Sequence, residues 1–388
     1  MYNRRIVFAA ACLGMLMFGV ALITLGAVQP FLQEKFTLSD GGSGTLFSIM
    51  PVGILAGSLV FGPACDKYGY KIVLVIAGLL FCLGIEGIAF AANMPLLKFS
   101  ILLFGLGGGA INGATNAVVS DISKTEKGAN LSLLGIFFGL GSLGMPLLIG
   151  LLKEKVGFHF ILGGVGSFTF LITLFFMTIT FPEPKQKQGF PLKRGLALIS
   201  DKVLLLISFF LFFQSSLEAI INNWTPLYLV DNLKMDTADA ILALTMYVAG
   251  LTGMRILLGS VFRKMNGMSI MFVSLFSILA GLIFLKLANA AGVAMYGLVL
   301  LGVGLSAGFP IMLGFVGSRF TQLPATAFSI ALVIALVGNI LVNYIAGVVA
   351  DRYGINSILS LAFIELAGMF AICLVLARIK TISTPTNK

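Results

Sequence analysis

Apolar runs long enough to cross a lipid bilayer fill most of this sequence, and they leave few folds open to it. Of its 388 residues, 59% are hydrophobic and 10% are charged, whereas soluble proteins carry about 25% charged residues. An apolar helix of about 20 residues crosses the hydrocarbon core, while a membrane barrel would show short alternating segments. The sequence therefore predicts an all-α membrane protein whose twelve transmembrane helices lie at 6–31, 43–64, 70–92, 97–121, 129–152, 158–181, 203–228, 237–262, 268–288, 292–317, 325–350 and 355–378.

A motif that recurs four times at fixed spacing divides these helices into repeats. Its pattern is a glycine, three residues, an acid, a base, one residue and a second glycine, and it first occurs at 62–69. Further copies lie at 150–157 and 347–354, and a degenerate copy lies at 259–266. The copies within each half are 88 residues apart, and the two halves are offset by 197 residues. Because self-similarity at a fixed period marks internal repeats, we predict two halves that each contain two three-helix units.

The predicted repeats set the domain organisation and the topology. Three crossings reverse the direction of the chain, so the two units of each half are inverted relative to one another. We predict an N-terminal six-helix bundle at 1–181, a cytoplasmic linker at 182–202, a C-terminal six-helix bundle at 203–378 and a cytoplasmic tail at 379–388. With the N-terminus inside, most Lys and Arg residues fall in cytoplasmic loops, as the positive-inside rule requires. The net charge of +10 is thus explained without nucleic acid, and we expect a protein of the cell inner membrane with both termini in the cytoplasm.

The chemical groups of an enzyme or a metal site are scarce. His159 is the only histidine, and no metal-type or redox-type spacing relates the four cysteines Cys12, Cys65, Cys82 and Cys373. Catalysis would need a cluster of acids, histidines or cysteines, and ATP-driven transport would need a nucleotide-binding loop, but neither pattern occurs. We therefore expect no enzyme activity, no metal and no cofactor other than a coupling cation, either sodium or a proton.

Helix 7 carries the densest stripe of polar residues. Gln214, Glu218 and Asn222 are spaced four residues apart, so their side chains lie on one face of the helix, and Asn223 and Trp224 follow directly. Amides and carboxylates bind the hydroxyls of a sugar, and an indole packs on its apolar face. The alternative is hydrogen bonding between helices, which contributes about 0.6 kcal/mol on average. Because a glutamate at mid-membrane costs about 2.5–3.5 kcal/mol, a role in substrate binding or coupling is favoured for Glu218.

Polar residues in other helices extend this candidate site. Arg255 is the only arginine deep in a helix, and it can pair with Glu218 as a coupling group or as a structural ion pair. Amide side chains recur in three further helices, as Gln29 in helix 1, Asn112 and Asn116 in helix 4, and Asn339 and Asn343 in helix 11. For the pair in helix 11, substrate binding and buried packing are equally open. Two other intramembrane acids, Glu86 and Glu365, are expected to make structural hydrogen bonds.

The segment at 62–71 resembles the signature of the major facilitator superfamily in its Gly62, Asp66, Lys67, Gly69 and Lys71. The resemblance covers nearly the whole chain. It implies transport by alternating access, in which this loop locks the two halves together on the cytoplasmic side. It also implies that helices 1, 4, 7 and 10 line a central cavity, while helices 2, 5, 8 and 11 flank it. We therefore expect a gating role for the five motif residues.

Within that superfamily, the chain is most similar to the fucose–galactose–glucose porter group and the sodium-glucose transporters like it. This resemblance rests on Asn112 to Asn116 in helix 4, on Glu218, Trp224 and Tyr228-Leu229 in helix 7, and on Gly253 to Arg255 in helix 8. Proton-coupled members carry a carboxylate where this chain has Asn112, and another in helix 1, which has none here between residues 6 and 31. This departure speaks against proton coupling.

Together these patterns predict a secondary active or facilitative transporter of a small polar solute. The expected substrate is a monosaccharide, and the expected state is a monomer in the lipid bilayer. One alternative is a drug exporter of the same superfamily, whose Gly-Pro motif in helix 5 is matched loosely by Gly141, Gly144, Pro146 and Gly150. Another is an importer of a nucleoside or an amino-sugar, which would use the same polar stripes. A membrane enzyme or sensor would need an interfacial cluster or a soluble domain, and the sequence shows neither.

Overall fold

The chain is helical in the computed structural model, which describes residues 2–123, 127–152, 155–183, 198, 200–260, 265–320 and 324–379. No β-strand occurs within these residues. The helices are α1 Arg4–Phe36, α2 Asp40–Tyr68, α3 Tyr70–Phe90, α4 Met94–Ile122, α5 Lys127–Leu152, α6 Phe158–Thr178, α7 Lys202–Leu233, α8 Thr237–Ser260, α9 Gly267–Lys286, α10a Ala291–Leu305, α10b Gly308–Arg319, α11 Pro324–Tyr353 and α12 Ser357–Ala377. In the described chain, twelve spans are long and apolar enough to cross a membrane, with α10a and α10b forming one of them. The predicted all-α fold with twelve membrane-spanning helices is confirmed.

Several helices begin earlier or end later than the hydropathy pattern predicted. α1 begins at Arg4 because the Asn3 side chain accepts a hydrogen bond from the Arg5 N–H at 3.0 Å, which satisfies one of the free donors of the first turn. α1 ends at Phe36 and α7 ends at Leu233, both beyond the predicted ends at 31 and 228. Each helix also contains a proline, Pro30 or Pro226, that its predicted span already included. Membrane-buried helices tolerate proline where neighbouring groups satisfy the freed carbonyl. Hydropathy alone therefore underestimates the length of these helices.

The chain divides into two compact units, one comprising Met1–Phe190 and Thr237–Leu242, the other comprising Pro191–Asp236 and Ala243–Lys388. Within the first unit, α4 packs on α2 and α3, α1 packs on α5, and α3 packs on α6. Within the second unit, α7 packs on α11 and α12, and α9 packs on α10a. The domain boundaries predicted at 181, 202 and 378 stay predictions.

The repeat spacing that the sequence revealed recurs in the packing of the helices. Positions 53, 141, 250 and 338 are separated by 88, 109 and 88 residues, so they are equivalent in the four units, and each is a glycine. At each position an added Cβ would lie 2.6 Å or less from a backbone carbonyl oxygen of the neighbouring helix. This distance is shorter than the contact that a carbon and an oxygen atom can make in a packed interior. The carbonyls belong to Leu102, Leu16, Val299 and Phe212, respectively. The second helix of every unit therefore uses the same glycine to approach its partner helix within its own bundle.

The final glycine of the recurring motif has the same backbone conformation in two of its copies. Gly69 and Gly354 have φ angles of 84° and 82°, a left-handed conformation that favours glycine. Their N–H groups donate to the carbonyls of Cys65 and Ala350 at 2.9 and 2.8 Å, so the same hydrogen bond ends α2 and α11. In the second copy, Gly157 has a φ of −57° and precedes α6. The first and last copies thus encode a helix-ending turn.

An ion pair in the second unit ties the start of α7 to the end of α10b. Asp201 Oδ1 accepts hydrogen bonds from the N–H groups of Val203 and Leu204 at 2.8 and 2.9 Å, and its Oδ2 lies 3.3 Å from the guanidinium of Arg319. Partial burial would raise the pKa of the Asp201 carboxyl, but the hydrogen bonds from Leu204, Arg319 and Val203 and the charge of Arg319 hold this pKa below its usual value. Asp201 is therefore ionised at neutral pH and anchors one end of α10b.

Candidate functional site

Helix α10 is interrupted within its membrane-spanning stretch. α10a ends at Leu305, Ser306 and Ala307 form a turn, and α10b begins at Gly308. The physical cause is Pro310, which has no N–H to donate to the carbonyl of Ser306 and whose ring clashes with that carbonyl. Such a break leaves carbonyls at the end of α10a without helical donors, so groups from other helices can bind them.

Gln214 of α7 supplies the donor at this break. Its side chain is 0% exposed, and its Nε2 donates to the Leu305 carbonyl at 3.0 Å and to Glu218 Oε1 at 2.9 Å. Its Oε1 has no hydrogen-bond partner among the described residues. The side chain fits because residue 308 is a glycine, whose added Cβ would lie 1.6 Å from Gln214 Oε1. One buried amide therefore joins the carboxylate of α7 to the interruption of α10.

One charged group and one hydroxyl group of α8 lie near the same carboxylate. Glu218 interacts electrostatically with Arg255, and Tyr247 is close enough to interact with both charges. Glu218 and Arg255 are half-buried, while Tyr247 is 1% exposed and its hydroxyl has no partner in the described part of the chain. The structure thus brings together Gln214, Glu218 and Arg255, which the sequence singled out, and adds Tyr247. The roles of these residues stay predictions.

The remaining candidates on α7 differ in their surroundings. Asn222 is half-buried, and its Oδ1 is buried without a partner among the described residues. Trp224 is 1% exposed, so its indole packs inside the bundle in this conformation. The roles predicted for both residues in substrate binding stay predictions.

A ladder of amides links α7 to α11. Asn223 donates to Asn343 Oδ1 at 3.0 Å, and Asn343 donates to the backbone and side-chain oxygens of Asn339 at 2.9 and 3.0 Å. Asn339 in turn donates to the Ser215 carbonyl at 3.3 Å. Three residues predicted to bind substrate are thus gathered at one helix contact, where they hydrogen-bond one another. Substrate binding and packing stay open for them.

Candidates in the first unit also make local hydrogen bonds. Asn116 donates to the backbone and side-chain oxygens of Asn112 at 2.9 and 3.0 Å, so α4 presents two linked, half-buried amides. Gln29 is fully buried and donates to the Ser43 hydroxyl of α2, while its own Oε1 has no partner among the described residues. Gln29 therefore joins α1 to α2 inside the bundle.

Only part of the predicted gating motif has described side chains. Gly62 and Asp66 lie within α2, but the burial of Gly62 and the side chain of Asp66 are outside what the structure describes. Lys67 and Lys71 are exposed, and the Lys67 amine lies 5.0 Å from the ring centre of Tyr68. α2 runs past the predicted helix end at 64, so most of the motif forms the last turns of a helix and not a free loop. Its gating role stays a prediction.

The other intramembrane acids lie apart from this cluster. Glu86 of α3 lies against α6, where a Cβ on Gly166 would come 2.2 Å from Glu86 Oε1. Glu365 of α12 has a buried Oε2 with no partner among the described residues, so the structural hydrogen bond expected for it is not made by that oxygen. In the described chain, no three His, Cys, Asp or Glu residues are grouped so that they could hold a metal ion.

The sequence reasoning missed Tyr247 and the interruption of α10. Tyr247 lies eight residues before Arg255, a spacing that returns to a similar face of a helix, so the pair could have been recognised. Gly308 and Pro310 fall within a run that was assigned to one continuous helix, although proline is the strongest signal for a helix break. The side chain that bridges the break comes from a distant part of the sequence and carries no local signal.

Comparison with known proteins finds similarity to membrane transporters. The family profile described as Major Facilitator Superfamily matches residues 7–342. The multi-drug resistance efflux pump PmrA of Streptococcus pneumoniae is 29% identical over 42% of this chain and 42% of its own length. The glucose transporter GlcP of Staphylococcus epidermidis is 25% identical over 45% of this chain and 40% of its own length. The chain thus aligns with less than half of either relative.

Solved structures share the fold over nearly the whole chain. The nucleoside transporter NupG has a TM-score of 0.80 at 16% identity and covers 97% of this chain and 100% of its own. A D-xylose-proton symporter has a TM-score of 0.77 at 15% identity and covers 98% of both chains. At these identities the likeness establishes the architecture of the chain, and the solute has to be argued from the side chains.

Proposed function

Because this chain belongs to the Major Facilitator Superfamily and is therefore a multi-pass membrane transporter, we propose that it carries a small polyhydroxylated solute, a monosaccharide. The solute binds in the second unit at Gln214, Glu218 and Asn222 of α7 with Tyr247 and Arg255 of α8. The chain works by alternating access in the cell inner membrane, as a monomer with both termini in the cytoplasm. A cation gradient coupled through Glu218 drives uptake.

The observation that carries this proposal is a set of buried polar atoms without partners. Gln214 Oε1, Asn222 Oδ1 and the Tyr247 hydroxyl all lack a hydrogen bond among the described residues. A buried polar atom left unsatisfied costs about 1–3 kcal/mol, so a ligand that satisfies several of them gains affinity. Sugar hydroxyls both donate and accept, and they suit a mixed set of two amide oxygens and a phenol. The glucose transporter among the relatives supports the same solute class.

The two charged residues of the proposed site, Glu218 and Arg255, have different roles. The Glu218 carboxylate accepts hydrogen bonds from adjacent sugar hydroxyls, since an ionised carboxylate binds hydroxyls more strongly than a neutral group does. Arg255 balances the charge of Glu218 while the site is empty and donates to ring or hydroxyl oxygens when solute enters. Asn112, Asn116 and Gln29 of the first unit are proposed as further polar contacts in the transport cycle. The exposed lysines of the 62–71 motif are proposed to act in the cytoplasmic lock.

Drug export is the second candidate function. The efflux pump PmrA is 29% identical over 42% of the chain, and α5 carries Pro146 inside the helix together with Gly141 and Gly144. A pocket for bulky apolar drugs, however, gains little from orphaned amide and phenol oxygens. The polar chemistry of the second unit therefore favours a hydroxylated solute.

Thermal stabilisation of the purified protein tests the solute class. A monosaccharide at about 100 times its Kd stabilises the folded state by about 2.7 kcal/mol, so at least one member of a panel of sugars is expected to raise the apparent Tm. We expect Tyr247→Phe to weaken the affinity for that sugar about fivefold, because it removes one hydrogen bond that contributes about 1 kcal/mol. Hydrophobic cations, chosen to represent drug-like compounds, are expected not to change the apparent Tm.

A matched substitution on α7 controls for the loss of a phenol. The Tyr228 hydroxyl donates to the Leu285 carbonyl at 3.3 Å and accepts from Asn232 at 3.0 Å, so its bonds are internal. Tyr228→Phe is expected to lower the Tm without changing the sugar affinity. Equal losses of affinity in both variants, or stabilisation by hydrophobic cations alone, would contradict the proposed solute site.

A further inference from the structure

We propose that Glu218 and the interruption of α10 form a sodium site, with Glu218 Oε1, the Leu305 carbonyl and Gln214 Oε1 as its ligands. The inference deepens the proposed function, on which it rests, by naming the coupling ion and the atoms that bind it. The observation behind it is the side chain of Gln214, which hydrogen-bonds both Glu218 Oε1 and the Leu305 carbonyl oxygen.

The Nε2 of Gln214 lies beside two acceptor oxygens that suit a cation. It lies 2.9 Å from Glu218 Oε1 and 3.0 Å from the Leu305 carbonyl oxygen, and both of these atoms are acceptors. One is a carboxylate oxygen, and the other is at the C-terminal end of α10a, where the helix dipole is negative. Half-helix C-terminal ends and unwound carbonyls coordinate sodium in membrane transporters with broken helices. Both oxygens therefore lie near enough to one point to be ligands of a single cation.

The third ligand is already buried beside this point. Gln214 is 0% exposed and its Oε1 has no partner in the described chain. A half-turn of the terminal amide exchanges Oε1 for Nε2, and this torsion has two broad minima. Without a cation, the exchanged oxygen would face Glu218 Oε1 and the Leu305 carbonyl and be repelled by both. With a cation between them, all three oxygens are satisfied, so sodium binding and the turn of the amide are coupled.

The charge and chemistry of the ligands select the ion. The three oxygens are hard ligands, which suit sodium, magnesium and calcium more than transition metals, and in the described chain no group of three His, Cys, Asp or Glu residues could hold a metal. They carry one negative charge in total, which favours a monovalent ion over a divalent one. Arg255 acts on the same carboxylate, so its positive charge weakens sodium binding and sets a modest affinity. A proton needs only Glu218, whereas sodium also needs Gln214 and Leu305.

Binding of radiolabelled sodium to the purified protein, without any sugar, tests the site. We expect saturable binding of one sodium per chain that potassium and choline displace poorly. Glu218→Gln is expected to abolish this binding, and Gln214→Leu, which removes a ligand at similar volume, to weaken it about tenfold or more. Arg255→Gln is expected to tighten it, because a competing positive charge is removed. Glu86→Gln changes a membrane carboxyl in the other unit and is expected to bind sodium as the unaltered protein does.

These outcomes test the sodium site independently of the proposed monosaccharide substrate. Absence of sodium-selective binding by the folded, unaltered protein overturns the site without recourse to any variant. Binding that survives in Gln214→Leu also overturns it, since a carboxylate alone would then suffice, as for a proton. If sodium binds with the expected pattern of losses but no sugar stabilises the protein, the sodium site is supported and the proposed monosaccharide substrate is contradicted.

Discussion

Substitution of Glu218 by glutamine is expected to abolish accumulation of the solute against its gradient while exchange of solute across the membrane continues. The amide keeps the size of the side chain and its hydrogen bonding to hydroxyls but loses the charge that binds the coupling cation. In a carrier that couples one cation to one solute, a tenfold cation gradient supports about tenfold accumulation, equal to about 1.4 kcal/mol. The variant is expected to reach only the external concentration, as measured by steady-state uptake into proteoliposomes.

Solute counterflow under equal cation concentrations provides the internal control for Glu218→Gln. Counterflow needs a working site and alternating access but no driving ion, so it should persist in the variant. Glu86→Gln removes a different membrane carboxyl, one that lies against α6 in the first unit, and should accumulate solute as the unaltered protein does. Undiminished accumulation by Glu218→Gln would refute coupling at this residue, and loss of both accumulation and counterflow by folded protein would show that Glu218 is required for solute binding or movement itself.

Substitution of Gly141 by alanine is expected to destabilise the first unit by about 1–3 kcal/mol or more. An added Cβ would lie 2.1 Å from the Leu16 carbonyl oxygen of α1, so α1 and α5 would have to move apart. The nearest atoms are backbone atoms of Leu16 and Val20, which cannot rotate away as a side chain could. The expected result is a lower apparent Tm in detergent and a smaller yield of monodisperse protein.

Gly144 on the same helix is the matched control for Gly141. A Cβ at position 144 would meet no atom within 4 Å, and alanine is about 1 kcal/mol more favourable than glycine within a helix. Gly144→Ala is therefore expected to leave the Tm unchanged or to raise it. If the two variants had the same Tm, the close approach of α1 and α5 would not be a determinant of stability.

Much of the fold could be read from the sequence because membrane helices must satisfy their own backbone groups. This constraint makes apolar length a direct signal, and all twelve predicted spans have a counterpart in the described chain. The repeat could be read as well, since the spacing of the motif also relates Gly53, Gly141, Gly250 and Gly338 in the packing. Helix ends were less accurate, because they depend on side-chain hydrogen bonds such as the cap at Asn3 and not on hydropathy alone.

The candidate site could be predicted only in part, because the sequence shows spacing along one helix but not contacts between helices. The spacing of Gln214 and Glu218 placed both on one face of α7, and the structure joins them by a hydrogen bond. That Gln214 also reaches the Leu305 carbonyl, 91 residues away, depends on the break at Pro310 and on the small volume of Gly308. The burial of Trp224 at 1% exposure likewise follows from packing between helices, which the sequence of α7 alone does not contain.

Uptake of a labelled monosaccharide panel into proteoliposomes is the most direct test of the central claim. Separate arms would impose an inward sodium gradient, an inward proton gradient, or neither. We expect at least one monosaccharide to enter faster than in protein-free vesicles and to be accumulated only under the sodium gradient. The opposite result, in which correctly folded protein takes up no monosaccharide in any arm while it transports hydrophobic cations, would contradict the proposed function.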